Sequence, residues 1–75
     1  MTYYKLVKKS DNLISYGYTD DIEFVNFAKN FNGLDVYVLT LCEFLNEAEG
    51  GTINIHKNGE DSYGIVDDGK IILDK

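Results

Sequence analysis

The chain opens on two short runs rich in β-branched and aromatic residues, Tyr3-Tyr4-Lys5-Leu6-Val7-Lys8-Lys9 and Leu13-Ile14-Ser15-Tyr16-Gly17-Tyr18, separated by the polar cluster Ser10-Asp11-Asn12. Strand-forming runs on either side of a turn cluster predict a β-hairpin. With Ser10 to Asn12 as the loop, Tyr4 opposes Tyr18, Leu6 opposes Tyr16 and Lys8 opposes Ile14, which gathers the large apolar groups on one face. Lys5 and Lys9 fall on the wetter face.

The hydrophobic period then lengthens from two to 3.6. Phe24, Phe27, Ala28 and Phe31 follow an i, i+3, i+4, i+7 stripe, with Ile22 and Val25 on its flank. Thr19 or Asp20 can cap the start, Asp21 and Glu23 suit the positive end of a helix dipole, and Asn32-Gly33 suits its end. These signals predict a helix over 21–30. The next stretch reads two ways. Asp35-Val36-Tyr37-Val38-Leu39-Thr40-Leu41 is β-branched enough to be a buried strand, whereas Leu34, Tyr37, Leu41, Phe44, Leu45 and Ala48 sustain a helical stripe. Length favours a second helix over 34–49, capped by Asp35 and stopped by Gly50-Gly51.

The last third alternates strand-like runs with turns: 52–56, then Asn58-Gly59, then 62–66, then Asp67-Asp68-Gly69, then 70–74. This predicts a three-stranded meander. A three-residue Asp67-Asp68-Gly69 loop pairs Ile65 with Ile71 and Tyr63 with Leu73, and an odd-length loop around Asn58-Gly59 sets Ile53 and Ile55 beside Ile65 and Tyr63. Those six side chains then share one apolar face. The expected architecture is one α+β domain of order ββααβββ, an antiparallel sheet with two helices on one face. The segments Ser15-Tyr16-Gly17-Tyr18-Thr19-Asp20-Asp21 and Ser62-Tyr63-Gly64-Ile65-Val66-Asp67-Asp68 echo one another, and their glycines leave room for a close approach.

Composition narrows the chemistry. Seventy-five residues make one small domain, and no apolar run nears the roughly 20 residues that cross a bilayer. The N-terminal lysines lead into polar residues rather than an apolar signal core, so the expected compartment is cytoplasmic. Cys42 has no partner for a disulfide, and within the second predicted helix it reads as a small core residue. His56 sits near a strand end, exposed and close to Asp61. No Gly-x-Ser-x-Gly, phosphate loop or calcium loop occurs, and the expected cofactors and metals are none. So short a chain has little room for the dry pocket that retunes carboxyl groups, so we expect no enzyme.

Charge is the most informative global feature. The formal net charge is -6, and residues 11–75 hold 4 Lys against 13 acidic residues, a balance unsuited to direct nucleic-acid binding. Asp20, Asp21, Asp35, Glu43, Glu47, Glu49, Glu60 and Asp61 are the candidate partner-binding residues. Such a surface complements a basic protein and speeds its encounter; as a plain alternative it only keeps the domain soluble.

The start Tyr-Lys-Leu-Val-Lys-Lys, the absence of Arg, Pro and Trp, and the acidity together resemble the small acidic proteins of phages and prophages of low-GC Gram-positive bacteria, which include anti-CRISPR and anti-restriction inhibitors. The resemblance is one of character and carries no motif. It implies a non-enzymatic inhibitor that occupies the nucleic-acid or ligand site of a basic host protein. Two other readings stay open: a homodimeric small-molecule or nucleotide binder lined by tyrosines, and an accessory phage protein without inhibitory role.

Overall fold

A computed structural model of the chain describes residues 1–74. Its elements run β1 (Thr2–Lys8), β2 (Leu13–Thr19), α1 (Ile22–Lys29), β3 (Leu34–Leu39), α2 (Leu41–Glu47), β4 (Thr52–Lys57), β5 (Glu60–Asp67) and β6 (Lys70–Leu73). The fold is α+β, but the order is ββαβαβββ rather than ββααβββ. All six strands join one sheet in the order β3-β1-β2-β4-β5-β6. The sheet is mixed, since β2 and β4 run parallel while every other neighbouring pair is antiparallel.

The new element is β3. The helix expected over 34–49 is a strand followed by a short helix, because β1 offers an edge that Leu34–Leu39 completes, setting Leu6 opposite Val36 and Tyr3 opposite Leu39. The apparent helical stripe was a strand and a helix read end to end. Thr40, not Asp35, caps α2: its hydroxyl accepts from the Glu43 amide while the Glu43 carboxylate accepts from the Thr40 amide at 2.8 Å, a reciprocal capping box.

Every hairpin register lies one residue from the expected one. The β1–β2 loop holds four residues, so Tyr3 opposes Tyr18, Tyr4 opposes Gly17 and Lys5 opposes Tyr16. Asn58-Gly59 and Asp68-Gly69 are two-residue loops with positive φ at both positions (55° and 75°, 53° and 69°), the geometry that matches strand twist. A one-residue slip moves every side chain to the other face. Ile53, Ile55, Val66 and Ile71 therefore share one face of the sheet, while Tyr63, Ile65 and Ile72 point from the opposite face.

Each face receives one helix, in place of two helices on one face. Phe44 of α2 is fully buried among Tyr3, Tyr16 and Tyr18, and with Ala48, Ile53, Ile55 and Val66 it forms the main core. Phe24 of α1 meets Tyr4, whose side chain alternates with Tyr3 and so lies on the other face. Val25 and Ala28 are the buried residues of α1, whereas Phe27, expected in the stripe, is 70 % exposed. The helix caps close to expectation: Asp21 is the N-cap, accepting from the Glu23 amide at 3.0 Å, and Asn30 is the C-cap.

Candidate protein-docking face

The acidic residues singled out from sequence do not form one surface. Asp21 and Glu43 serve as helix-capping groups. Asp20 accepts from the Asn58 amide at 3.1 Å, tying the start of α1 to the β4–β5 turn. Glu49 grips the β5–β6 turn, with its two oxygens accepting from the Asp68 and Gly69 amides at 2.9 Å each. Glu47 accepts from the Tyr16 hydroxyl at 3.2 Å and lies 3.7 Å from the Lys5 ammonium, and Asp35 pairs with Lys9 at 3.7 Å. Asp61 holds the Nδ1 of His56 at 2.8 Å, and Glu60 opens β5 as an exposed residue. Most of these carboxylates thus bind the fold's own turns, caps and strands. Cys42, expected in the core, is exposed on α2.

What the sequence reasoning missed is apolar. Helix α1 packs on β3 and β2, and α2 covers the opposite face. Apart from the Phe24 ring of α1, which reaches His56 of β4, no helix among the described residues packs on the β4–β5–β6 half of the α1 face. There Tyr63 is 58 % exposed, Ile65 44 % and Ile72 47 %, side by side on neighbouring strands. Single exposed apolar residues are ordinary, but a contiguous set with a polar rim marks an interaction surface. The polar rim includes Asn54, His56, Asp61, Asp67, Lys70 and Asp74. The signal was present in the two turn sequences: reading Asn58-Gly59 and Asp68-Gly69 as two-residue loops sends these three side chains away from the core.

Two hollows of about 250 Å³ each open on this half-face and share Tyr63. The first is walled by Tyr4, Leu6, Phe24, Asn54, His56 and Tyr63; Phe24 and His56 stack with ring centres 4.7 Å apart. The second is walled by Thr52, Tyr63, Ile65, Ile72, Leu73 and Asp74. Burial, with a smaller contribution from the nearby Asp61 charge, pushes the Tyr4 phenol up to about 12. Burial also raises Tyr16, helped by the Glu47 hydrogen bond and charge, and raises Tyr18 beside Tyr3.

Gly17 explains how Tyr4 is seated. A Cβ at Gly17 would lie 2.5 Å from the Tyr4 hydroxyl oxygen and 2.5 Å from the Asn54 carbonyl oxygen, so the ring lies across the glycine. The close approach anticipated at Gly17 is made by a side chain of the same sheet. Among the described residues no group of three or more His, Cys, Asp or Glu could hold a metal ion, and no helix is long and apolar enough to cross a membrane. Comparison with known protein families, with curated proteins and with solved structures finds no match for this chain.

Proposed function

We propose that the chain is a non-enzymatic protein-binding module that docks a basic partner on the uncovered half of its sheet, in the manner of a small phage- or mobile-element-encoded inhibitor of a cytoplasmic nucleic-acid-processing protein. The observation that carries this reading is the exposed Tyr63, Ile65 and Ile72 surface bordered by Asp61, Asp67 and Asp74. Desolvated apolar anchors supply affinity at such a surface, while the acidic border and the net charge of -6 select and steer a cationic partner. The hollows of this half-face, at about 250 Å³ each, fall below the roughly 300–1,000 Å³ of small-molecule sites, whereas a third hollow of about 370 Å³ beside Tyr18, Ile55 and Leu73 lies within that range. His56 and Asp61 also pair as a general base and its orienting acid would, but the Asp61 side chain is 80 % exposed, so water screens the pair.

The test is affinity capture from host lysate on the immobilised chain at about 0.1 M and about 1 M salt, with an Ile65→Lys, Ile72→Lys variant alongside. The expected result is a basic protein retained at low salt by the natural chain and lost both at high salt and on the variant. Identical retention on both columns removes this face from the proposal.

A further inference from the structure

The half-face has the dimensions of one more helix. Strands lie about 4.8 Å apart, so β4, β5 and β6 present a strip on the order of 10–15 Å wide beside α1, against a helix diameter of about 10–12 Å. Along β5, Asp61 to Ile65 spans about 13 Å at roughly 3.3 Å per residue, close to two helical turns. Side chains at i and i+7 of a docked helix can therefore enter the two hollows, with those at i+3 and i+4 against Tyr63, which lies between them.

The backbone chemistry points the same way. Strand β5 is paired on both sides, to β4 and to β6, so the face itself offers side chains, and the free ladder of this half lies only along the outer edge of β6. An extended peptide laid across the face would leave its own amides and carbonyls without partners, whereas a helix satisfies them internally. Charge decides the flank of that helix. Asp61 and Asp74 line the hollows and Asp67 shares their face, with Lys70 directly across from Asp67. A second copy of this chain would bring acidic borders together at -6 per molecule; lysines or arginines beside the apolar stripe would meet them.

We infer that the β4–β5–β6 half of the sheet receives an amphipathic α-helix of the partner, its apolar stripe on Tyr63, Ile65 and Ile72 and its flank basic. This rests on the protein-binding reading and adds the form the partner takes. The probes are three synthetic peptides of about 18 residues, long enough for five turns. One carries Leu at i, i+3, i+4 and i+7 with Lys flanks, one is a scramble of the same composition, and one keeps the stripe with Glu flanks.

Binding to the full chain is read by fluorescence anisotropy and by amide chemical shifts. The striped Lys peptide is expected to bind at least about tenfold more tightly than either other peptide, and to shift the amides of Asn54, Tyr63, Ile65 and Ile72. Tyr63→Lys with Ile65→Lys should weaken it about tenfold or more while unfolding stays cooperative; if that pair fails to fold, Ile72→Lys alone serves. Equal affinity for striped and scrambled peptides overturns the helix while leaving the charge-steered protein-binding reading standing. Shifts confined to α1 and β3, self-association at this face without peptide, or no binding at about 1 mM of the striped peptide overturn the inference. The lysate experiment with the double lysine variant separately decides whether the face binds any protein.

Discussion

Replacing Gly17 by Ala inserts one methyl group between β2 and two neighbours that differ in their freedom to move. The new Cβ would stand 2.5 Å from the Asn54 carbonyl oxygen, a backbone atom of the parallel strand β4, and 2.5 to 2.7 Å from the Tyr4 hydroxyl and its ring carbon. Ordinary carbon contacts begin at about 3.5 Å, so about an ångström must be recovered. Strand β4 cannot retreat from the Asn54 clash without stretching its ladder to β2, and the Tyr4 clash is relieved only by moving the ring, so the two costs add. Tyr4 is 2 % exposed. Expelling even about 100–150 Å² of its ring into water costs about 3 kcal/mol at roughly 25 cal/mol per Å².

A domain of this size is expected to have about 4–11 kcal/mol in total, so the variant should lose a large share of its stability. Urea unfolding followed by far-UV circular dichroism and tyrosine fluorescence should show a lower midpoint with an unchanged slope. Gly50→Ala is the control. Nothing lies within 4 Å of a Cβ there, and its φ of +78° exposes only the backbone penalty, about 1 kcal/mol. Combining Gly17→Ala with Tyr4→Leu should recover part of the loss, an interaction of about 1–2 kcal/mol. A Gly17→Ala chain within about 0.5 kcal/mol of the natural one would refute the placement of Tyr4 over Gly17.

Tyr4 also makes stability depend on alkaline pH. Its phenol is raised from the ordinary 10.0 to about 12 in the folded chain, so the folded state holds the proton more tightly than the unfolded one. The associated stability is complete below pH 10 and is lost as the pH rises through about 12. Absorbance of phenolate near 295 nm should show its last step near pH 12, together with unfolding; a phenolate signal already complete near pH 10 would contradict this. Glu49→Ala should cost about 1 kcal/mol, because it strips the Asp68 and Gly69 amides of their exposed acceptor. Urea unfolding checks it, and a change under about 0.3 kcal/mol would mean that water replaces the carboxylate fully.

The proposed docking face was legible in the sequence in one respect and hidden in another. Asn58-Gly59 and Asp68-Gly69 carry the residues that a two-residue hairpin loop requires, and counting them that way already turns Tyr63, Ile65 and Ile72 out of the core. An odd loop length placed the same side chains inside. Whether a helix covers them afterwards cannot be read from turn chemistry. It depends on α1 packing on β3, which depends on β3 existing.

The hairpin at the start, the helix following Asp21, the three-strand meander and the α+β class follow from local period, caps and turns, because each is set by residues within one or two turns of chain. The strand Leu34–Leu39 does not. Its sequence satisfies both periods, and the free edge of β1 that decides between them lies about 30 residues away in the chain. The separation of the helices onto two faces follows from the same choice: with β3 added beside β1 the sheet is wide enough to need covering on both sides. The acidic residues divide likewise. Their number and the charge of -6 are properties of the sequence, while their use as caps, as acceptors for turn amides and as strand partners arises only once Asn58, Asp68 and Lys5 are brought beside them. Local signals act over a few residues, whereas the pairing of edges and the seating of carboxylates on distant amides are decided by contacts that only the folded chain makes.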